Sequence, residues 1–412
     1  MIGVSIIIPI KENDVELIKN KLNSFSNQDE VNVLFIDAGS SDEVISLIKN
    51  QSNKNIAVSS IQDNDKKIDY NYPIAANYGA SISISEYLLI SDVDIFFSVD
   101  EVKKLYFSAK KDDLDFITGK VNIKKDGRVF EHPSWKDSST WFSLIKKSFF
   151  EKIGGFNEDY AGYYGHNDGD YKGRINKYKA KVGIESEAVS TMVRPDKGSY
   201  TNIDHSRNLK LTQELHSGIG YVIVPKKYIE YPGFLTYKDM QAIIHYSINA
   251  KNGVVEIGSL FGKATNLFLN YSSVPVVSVD NYSFDTVYSK MKDDGGVDLT
   301  SQKYSKKEVQ AIYSKLLSEY NAKLSLVVLD SDKAFLNIKN ESYDLLFIDG
   351  DHELSQVQKD FNNYYSKLSP GGVILFHDYP NEYGVKVFID GLINKNIQVE
   401  KYGFCAIIKK SK

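Results

Sequence analysis

Two carboxylates follow an apolar run in the segment YLLISDVDIFFSVD, residues 87–100. Asp92 and Asp94 are two positions apart, so their side chains lie on one side of the chain if it stays extended. Both can then bind one hard divalent cation such as Mn²⁺ or Mg²⁺. Such a cation can neutralise the charge that develops on the phosphates of a departing nucleotide. An acidic junction between a strand and a turn is the alternative reading of the same pair.

A glycine turn after a strand-like run forms a second candidate site. In VVEIGSLFG, Gly258 and Gly262 fit only part of the GxGxxG pattern of a dinucleotide site. Glu256 precedes this turn, where a carboxylate would repel a pyrophosphate but suits the cationic sulfonium and amino group of S-adenosylmethionine. Asp280 ends the next apolar run and can accept hydrogen bonds from both ribose hydroxyls. Because NAD sites share that acid, it indicates a nucleoside site without discriminating between the two cofactors.

Two series of strand and helix signals must position these acids. The first runs from VSIIIPI through a polar helix predicted at residues 15–26 to VNVLFID, and from a helix beginning near Asp42 to YLLISDVD. The second contains GVVEIGSLFG, VPVVSVD, LSLVVLD, YDLLFIDGDH and GGVILFHDY. Short apolar runs between amphipathic segments predict parallel strands with crossover helices, and the strands point their carboxyl ends at a ligand crevice. We predict an α/β chain with domains at residues 1–220 and 221–412.

Composition narrows the class of protein. The chain has 412 residues, 42% hydrophobic residues and a formal net charge of -4, which favours two or three globular domains and argues against a general nucleic-acid binder. Cys405 is the single cysteine, so no intrachain disulfide can form. No run reaches the roughly 20 apolar residues of a membrane span, and the start of the chain lacks the basic region of a signal peptide. We predict a cytoplasmic protein without a transmembrane segment, whose oligomeric state stays open.

The first series resembles the nucleotide-binding half of the GT-A glycosyltransferases, in the group that includes chondroitin polymerase and the β-1,4-galactosyltransferases. VSIIIPIKEN, VLFIDAGSSDE and PIAANYGASISISEYLLISDVD carry the resemblance, which covers residues 3–210. It implies a GT-A nucleotide-sugar fold and a nucleotide-diphosphate sugar as donor, with a UDP-sugar as the first candidate. It also implies that Asp37 holds the nucleoside, that Asp92 lies near the ribose and that Asp94 binds the metal.

A second stretch, FEKIGGFNEDYAGYYGHNDGDYKGRI at residues 150–175, is similar to the acceptor-side segment of galactosyltransferase-like enzymes. Inverting transfer needs a carboxylate that accepts the proton of the attacking hydroxyl, and the resemblance assigns this role to Asp168. Asn167 and Gly169 stand where the family usually has Glu and often has Asp, which affects the acceptor more than the activity. The family also supplies a histidine to the metal. His205 lies at about the right place, and imidazole suits Mn²⁺ better than Mg²⁺.

The second series resembles the class I methyltransferases and implies their Rossmann-like fold. The nearest likeness is to the metal-dependent O-methyltransferases related to macrocin and catechol O-methyltransferase. EIGSLFG, SVDNY, VVLDSD and the segment from YDLLFIDGDH to FHDY carry the resemblance, within residues 225–410. It implies that Asp330 and Ser331 lie near the adenine of S-adenosylmethionine. The other residues that it assigns to this cofactor are Glu256, Gly258, Ser259, Gly262 and Asp280.

Methyl transfer to a sugar hydroxyl needs a base or a cation, because the hydroxyl is a poor nucleophile at neutral pH. Asp349 in FIDGDH and Asp378 in FHDY end neighbouring strands of the expected fold. They match metal-binding positions of the catechol-type family and imply Mg²⁺, although Tyr379 stands where that family has a third ligand, Asn. His352 has an unperturbed pKa close to neutrality and is the candidate base. Asp351 is the next candidate.

These patterns together predict a bifunctional enzyme that transfers a sugar to a glycan or lipid-linked oligosaccharide and methylates a sugar hydroxyl. A lipid-linked acceptor would bring the protein to a membrane surface. Two sites in one chain give a shared product a raised effective concentration. One alternative is a glycosyltransferase with a non-catalytic module that binds S-adenosylmethionine or a glycan. Another is a nucleotidyltransferase in the first domain, but PIKENDVEL lacks the glycine-rich basic loop of that class.

Overall fold

The computed structural model divides into two compact units, residues 1–217 and 218–412, each with its own sheet. The described residues are 2–11, 15–25, 29–51, 53–69, 71–125, 127–132, 141–163, 165–193, 206–216, 218–292 and 298–411. Within these ranges, no helix combines the length and the apolar character needed to cross a membrane.

The N-terminal unit contains one mixed sheet. Its described strands are β1 (Val4–Ile10), β2 (Asn32–Asp37), β3 (Ile56–Ser60), β4 (Tyr87–Ile90), β5 (Ile95–Phe96), β6 (Phe116–Lys125), β7 (Arg128–Glu131), β8 (Ser143–Lys146) and β9 (Val182–Val193). They lie in the order β3-β2-β1-β4-β8-β6-β9-β5, and β7 pairs with β6. β1 is parallel to both β2 and β4, whereas β8 is antiparallel to β4. The parallel half of the sheet is therefore the half that carries the first series of sequence signals.

Helices accompany this sheet along the chain. They are α1 (Val15–Asn23), α2 (Asp42–Lys49), α3 (Asp63–Lys66), α4 (Tyr72–Ile82), α5 (Val99–Asp112), α6 (Lys147–Lys152), α7 (Asn167–Lys177) and α8 (Ser206–His216), with a 3₁₀ turn at Glu158–Tyr160. α1 ends before the predicted residue 26, and Ser24 Oγ donates a hydrogen bond to the Lys21 carbonyl oxygen at 2.7 Å just beyond its end. Such a bond satisfies one of the carbonyls that a helix end leaves without an intrahelical partner.

The core of this unit follows from the alternation of strand residues. Ile6 and Ile8 of β1 pack with Phe35 of β2 and Leu89 of β4, and all four side chains are fully buried. Burial of each such side chain contributes roughly 1.5–3 kcal/mol relative to leaving it exposed. The core therefore fixes the register of the parallel strands, and with it the positions of the residues at their carboxyl ends.

The C-terminal unit contains a second, mostly parallel sheet. Its described strands are β10 (Val254–Ile257), β11 (Val276–Val279), β12 (Thr286–Lys292), β13 (Asp298–Ser305), β14 (Leu324–Val327), β15 (Tyr343–Ile348), β16 (Leu368–Phe376), β17 (Val399–Tyr402) and β18 (Cys405–Lys409). The order is β14-β11-β10-β15-β16-β18-β17, in which β18 runs antiparallel to β16 and β17, while β12 and β13 form a separate antiparallel pair. The first five strands of that order are parallel, as in a doubly wound sheet.

The described helices of this unit are α9 (Lys226–Ile229), α10 (Tyr237–Asn249), α11 (Lys263–Tyr271), α12 (Lys306–Glu319), α13 (Ser331–Ala334), α14 (Leu354–Tyr365) and α15 (Tyr383–Ile393), with 3₁₀ turns at Ile219–Tyr221 and Phe335–Asn337. α10 begins with a capping box. Thr236 Oγ1 accepts a hydrogen bond from the Asp239 backbone N–H at 3.3 Å, and Asp239 Oδ2 accepts one from the Thr236 N–H at 2.9 Å. This reciprocal pair satisfies two donors that a helix start leaves open.

Both sheets have a central parallel strand at which the strand order reverses. β1 lies between β2 and β4, and β10 lies between β11 and β15. Open α/β sheets bind ligands outside the carboxyl ends of their strands at such a reversal. Four of the predicted ligand-binding acids lie at the carboxyl ends of the strands beside β1 and β10. They are Asp37 at β2, Asp92 after β4, Asp280 after β11 and Asp349 after β15.

Candidate functional site

Asp37 ends β2 and is buried at the carboxyl edge of the first sheet. Its Oδ1 accepts hydrogen bonds from the backbone N–H groups of Gly39 and Ser40 at 3.0 and 2.8 Å. Its Oδ2 accepts one from Ser60 Oγ at 2.9 Å and lies 2.8 Å from Lys66 Nζ. Burial would raise the pKa of Asp37, but these hydrogen bonds, led by that from Lys66, lower it overall. Asp37 is therefore an ionised carboxylate that also fixes the loop after β2.

Three acids from two distant segments meet beyond the carboxyl end of β4. Asp92 and Asp94 follow β4, and Asp168 lies in the first turn of α7. The pKa of Asp92 is raised to about 7, first by burial and then by the negative charges of Asp94 and Asp168. Like charges that perturb one another in this way lie close together and favour a bound cation. His205, the predicted histidine ligand, lies outside the described residues.

Lys21 lies beside these acids and was not predicted to have a role. It is fully buried in α1, and its Nζ donates hydrogen bonds to the Ile95 carbonyl oxygen and, at 3.4 Å, to the Asp92 carbonyl oxygen. Burial lowers the pKa of Lys21 to about 7, although Asp94 and Asp92 act in the opposite direction. The available signal was a lysine on the apolar face of α1, since the buried positions of this helix are Ile18, Lys21 and Leu22.

A buried ion pair anchors the helix that carries Asp168. Arg174 Nε and Nη2 donate to Asp170 Oδ2 at 3.0 and 2.8 Å. Arg174 Nη1 donates to the carbonyl oxygens of Ile153 and Gly155 at 2.6 and 2.5 Å. Neither side chain of the pair is more than 1% exposed. The pair therefore ties α7 to the GGF turn that precedes it in sequence.

Two amide side chains hold the chain between that turn and α7. Asn77 of α4 donates from Nδ2 to the Phe156 carbonyl oxygen at 2.8 Å, and its Oδ1 accepts from the Phe156 N–H at 2.8 Å. Asn208 of α8 donates from Nδ2 to the carbonyl oxygens of Tyr163 and Gly165 at 2.8 and 3.0 Å. Helices that are distant in sequence thus determine where Asp168 lies.

We expect Arg174→Met to destabilise the N-terminal unit by about 3–5 kcal/mol, because the Asp170 carboxylate would stay buried without its partner charge. Guanidinium chloride unfolding of the full chain measures this change. Lys210→Met is the matched control, because Lys210 is 77% exposed on α8 and forms only a surface pair with Glu214. A loss for Arg174→Met no larger than that of the control would contradict the anchoring role.

The second site is a cavity of about 1010 Å³ in the C-terminal unit. It opens at the carboxyl ends of the parallel strands and spans the glycine turn and the loops after β11, β14, β15 and β16. The predicted site residues that line it are Gly258, Ser259, Asp280, Asp330, Ser331, Asp349, His352 and Asp378. Residues that sequence analysis had placed at five separate points of the chain therefore share one cavity.

The glycine turn wraps around the carboxylate of Asp280. Asp280 Oδ2 accepts hydrogen bonds from the N–H groups of Ser259 and Leu260 at 2.9 and 2.8 Å. Gly258 has a φ of +85°, and a Cβ at this residue would lie 2.0 Å from the Asp349 carbonyl oxygen. Only glycine permits this close approach of two loops. Asp280 thus shapes the turn in addition to facing the cavity.

Gly262 acts in packing. It has a φ of +84°, and a Cβ there would lie 2.6 Å from Leu316 Cδ1 and 3.0 Å from a ring carbon of Tyr313. Gly262 therefore lets α12 pack closely on the start of α11 and is not among the residues that line the cavity.

Glu256 is not among the residues that line the cavity. Its side chain is fully buried, and Oε2 accepts hydrogen bonds from Thr265 Oγ1 at 2.5 Å and Ser278 Oγ at 2.6 Å. Burial raises the pKa of Glu256 to about 8, so the carboxyl group is mainly protonated at neutral pH. Successive strand residues face opposite sides of a sheet, and Glu256 faces away from the core side that holds Val255 and Ile257. The predicted contact of Glu256 with the cationic part of S-adenosylmethionine stays a prediction.

One end of the cavity carries a hydrogen-bonded polar group. Asp330 Oδ1 accepts from Asn281 Nδ2 at 2.9 Å, and Ser331 Oγ donates to Asp360 Oδ1 at 2.5 Å. Gln356 Nε2 donates to Ser331 Oγ at 3.0 Å. Asp360, which sequence analysis missed, is 1% exposed, and burial raises its pKa to about 6. Its one sequence signal is an acid on the buried face of α14.

Asp349, His352 and Asp378 come together at the other end, after β15 and β16. His352 Nε2 lies 3.2 Å from Asp378 Oδ2 and 3.8 Å from Asp349 Oδ1. One nitrogen or oxygen ligand atom from each residue lies within 4.8 Å of the others, and no other such group of three occurs in the described ranges. Interactions with Asp349 and then Asp378 raise the pKa of His352 against the effect of burial. The two carboxylates supply the oxygen ligands that Mg²⁺ or Mn²⁺ prefers, and the imidazole lies beside them.

His377 joins this group to a buried acid, and sequence analysis missed both. His377 Nδ1 lies 3.0 Å from Asp349 Oδ1 and 3.4 Å from Asp378 Oδ2, and its Nε2 lies 3.3 Å from Asp239 Oδ2. Burial would lower the pKa of His377, but Asp349 and Asp239 raise it well above its usual value. The imidazole is therefore a cation held between carboxylates. Tyr379, the residue at the expected third ligand position, instead donates its hydroxyl to Asp390 at 3.0 Å.

Two family models match separate parts of the chain. Residues 5–118 match the model of a glycosyltransferase like family 2, and residues 255–379 match the model of a methyltransferase domain. The chain therefore contains a family 2-like glycosyltransferase domain followed by a methyltransferase domain. With the two sheets, these matches confirm the predicted mixed α/β fold class, glycosyltransferase-like in the N-terminal domain and methyltransferase-like in the C-terminal domain. Both matched families are families of enzyme domains.

Two curated proteins match short stretches. "Uncharacterized protein R132" of Acanthamoeba polyphaga mimivirus is 44% identical over 62 residues, which cover 14% of this chain and 28% of that protein. "Uncharacterized protein y4gI" of Sinorhizobium fredii (strain NBRC 101917 / NGR234) is 48% identical over 46 residues, which cover 11% of this chain and 5% of that protein. The chain thus spans less than a third of the length of either relative.

Solved structures also show similarity. S. aureus TarS 1-349 in complex with UDP-GlcNAc has a TM-score of 0.44 at 16% identity, covering 55% of this chain and 69% of that chain. GalNAc-T7 with UDP, GalNAc and Mn²⁺ has a TM-score of 0.40 at 13% identity, covering 48% of this chain and 45% of that chain.

Proposed function

We propose that this chain is a bifunctional glycan-modifying enzyme. Its N-terminal domain transfers a sugar from a nucleotide-diphosphate sugar, with a UDP-sugar as the first candidate, to a glycan or lipid-linked oligosaccharide. Its C-terminal domain methylates a sugar hydroxyl with S-adenosylmethionine. One observation carries the proposal: in each domain, acids that are far apart in sequence come together at the carboxyl ends of parallel strands. We propose a domain boundary near residue 220, which agrees with the division into two compact units.

In the N-terminal domain, Asp168 is the proposed base. It is exposed in the first turn of α7 and interacts with Asp92, so an acceptor hydroxyl can approach it beside the donor site. As the hydroxyl oxygen attacks the sugar carbon, its proton passes to the Asp168 carboxylate. Asp37 and Asp92 contact the nucleoside and ribose. A divalent cation, Mn²⁺ or Mg²⁺, held at Asp94 and with His205 as a proposed ligand, would supply positive charge for the departing diphosphate.

In the C-terminal domain, the cavity is at the upper end of the size range of small-molecule sites. We assign its Asp330 and Ser331 end to the adenine and Asp280 to the ribose of S-adenosylmethionine. Ser259 and Gly258 bring the glycine turn against the ligand. Asp349 and Asp378 would then lie near the methyl group. His352 accepts the proton of the sugar hydroxyl as the oxygen bonds to the methyl carbon and the bond from that carbon to sulfur breaks. A divalent cation at Asp349 and Asp378 would lower the pKa of that hydroxyl.

A paired assay on the full chain tests the proposal. A panel of nucleotide-diphosphate sugars with and without Mn²⁺ is scored for donor hydrolysis, and methyl transfer from S-adenosylmethionine to the glycosylated product is measured with and without a chelator. We expect hydrolysis of at least one UDP-sugar that requires Mn²⁺. We also expect methyl transfer that stops in the chelator and returns with Mg²⁺. Binding of S-adenosylmethionine without methyl transfer would instead favour a non-catalytic C-terminal module.

We expect His352→Ala to lower the rate of methyl transfer by roughly 10²–10⁴-fold, because the proton acceptor of the sugar hydroxyl is lost. Affinity for S-adenosylmethionine, measured by calorimetry, should stay close to that of the unchanged protein. His245→Ala on α10, outside the residues that line the cavity, is the control. Full activity of His352→Ala would move the base elsewhere, with Asp351 tested next.

A further inference from the structure

Lys263 is a buried lysine among the residues that line the C-terminal cavity. It is the first residue of α11, directly after the glycine turn, and is 5% exposed. Its Nζ donates a hydrogen bond to the Ile229 carbonyl oxygen at 3.1 Å. Burial lowers the pKa of Lys263 to about 8, which leaves the ammonium form dominant at neutral pH. A lysine that belongs to the cavity lining thus has little access to bulk water.

This ammonium group has no carboxylate partner among the residues that the structure describes, and burial is the cause of its pKa shift. The other lysine of the cavity wall, Lys333, is different, because it is exposed and lies 2.9 Å from Asp330 Oδ2. A lysine ammonium has three N–H donors, and the carbonyl of Ile229 uses one. An unpaired buried charge is costly and is typically offset by a counter-ion. An anionic group of a bound ligand would be such a counter-ion.

The backbone opposite Lys263 holds its side chain in place. Gly233, at a φ of +138°, packs on the lysine stem, and a Cβ at Gly233 would lie 2.8 Å from Lys263 Cβ. Gly233, Phe234 and Leu235 line the same cavity. The stem is therefore confined between the glycine turn and this segment, so the ammonium group is pre-organised and costs little further ordering on binding.

The charged residues around the cavity are complementary to the amino group and the carboxylate of an amino acid. Because β10 lies between β11 and β15, the glycine turn that precedes Lys263 lies between Asp280, after β11, and Asp349, after β15. In the orientation proposed for S-adenosylmethionine, Asp330 and Asp280 bind the adenosine part. The methionine part then lies against the glycine turn after β10. Its amino group is a cation that suits the acids after β15, and its carboxylate is the anion of the molecule.

We propose that Lys263 binds the α-carboxylate of the methionine part of S-adenosylmethionine and so selects the amino-acid end of the methyl donor. This inference rests on the methyl-donor site of the proposed function. A charge-assisted hydrogen bond between a buried ammonium group and a carboxylate is stronger than one between neutral groups. Lys263 is thus a specificity-determining residue for the methyl donor.

Calorimetry on the full chain tests the assignment with the product S-adenosylhomocysteine and its decarboxylated analogue, S-adenosyl-3-thiopropylamine. We expect the unchanged protein to bind S-adenosylhomocysteine roughly tenfold or more tightly than the analogue. Lys263→Met keeps the length of the stem. It should weaken binding of S-adenosylhomocysteine by roughly tenfold or more while binding of the analogue changes little, so the preference disappears. Lys333→Met, the matched control in the same cavity, should keep the preference.

Three results would overturn the assignment. Equal affinities of the unchanged protein for the two ligands would show that the carboxylate is not recognised, whatever the variants do. A preserved preference in Lys263→Met would assign the carboxylate to another group, and an equal loss for both ligands would make Lys263 structural. Failure of the unchanged protein to bind either ligand would instead refute the methyl-donor site itself, and this inference with it.

Discussion

Asp94→Ala is expected to reduce sugar transfer by roughly a thousandfold, at the upper end of the losses seen when one transition-state stabiliser is removed. The pKa of Asp92 is raised to about 7, first by burial and then by the charges of Asp94 and Asp168, and this repulsion marks a point where positive charge is needed. Without the Asp94 carboxylate, the cation that offsets the charge of the departing diphosphate loses a ligand. Release of the nucleoside diphosphate and Mn²⁺-dependent nucleotide binding are the measurements.

The matched control for this prediction is Asp100→Ala. Asp100 lies in the first turn of α5, where its exposed carboxylate forms a surface pair with Lys103 at 3.3 Å. Its loss removes the same charge from a nearby position that does not face the cluster. S-adenosylmethionine binding should stay intact in both variants, which shows that the C-terminal unit is folded, and circular dichroism of the full chain checks the N-terminal unit. Normal turnover of Asp94→Ala at saturating Mn²⁺ would rule out Asp94 as a ligand.

The second large effect is expected for Asp168→Asn. The amide has the size of the carboxylate and keeps a hydrogen-bonding oxygen, but it cannot accept the proton of the acceptor hydroxyl. We expect kcat to fall by roughly a hundredfold or more, while the KM for the nucleotide sugar changes little. Initial rates over a range of donor concentrations separate the two constants.

Asp159→Asn is the control for Asp168→Asn, because Asp159 is an exposed acid in the 3₁₀ turn at Glu158–Tyr160, before α7. It should retain the activity of the unchanged protein. A rise in KM without a fall in kcat for Asp168→Asn would show that Asp168 positions the donor and is not the base. The anchoring of α7 by Asp170 and Arg174 does not depend on the Asp168 side chain, so the variant should fold.

The negative charges of the candidate sites are balanced differently in the two domains. Near Asp92 the negative charges accumulate, and Lys21 offsets them from a buried position next to the backbone of the same turn. In the methyltransferase domain the cation of His377 already lies 3.0 Å from Asp349 and is held by Asp239. A divalent ion at Asp349 and Asp378 would therefore share its carboxylates with an imidazolium. The chelator arm of the assay measures how much the reaction depends on that ion.

Much of the fold was predictable from sequence because its signals are local. Apolar runs that end in Asp37, Asp92, Asp280 or Asp349 predict parallel strands, and parallel strands bring their carboxyl ends to one edge. Sequence analysis could therefore predict that acids from separate runs face a common crevice, and the family models confirm the class of both domains. The roles of the individual acids remain proposals.

The tertiary structure decided which of these side chains face a ligand and which support the loops. Glu256 is in the predicted motif, but the alternation of strand side chains places it on the face of the sheet opposite Val255 and Ile257, where Thr265 and Ser278 donate hydrogen bonds to it. An uninterrupted buried run such as VVEI does not show which face of the sheet each side chain takes, because both faces of a parallel strand are covered and apolar.

The partners of buried charges were likewise decided only by the tertiary structure. Asp239 and His377 are 138 residues apart and meet because α10 packs near the end of β16. Lys21 and Lys263 are ordinary lysines in sequence. One is fully buried against the backbone beside Asp92, and the other is among the residues that line a cavity and has no carboxylate partner in the described residues. Sequence determines such residues' chemistry, but burial and pairing arise from contacts between distant segments, and these set the pKa and the role of each group.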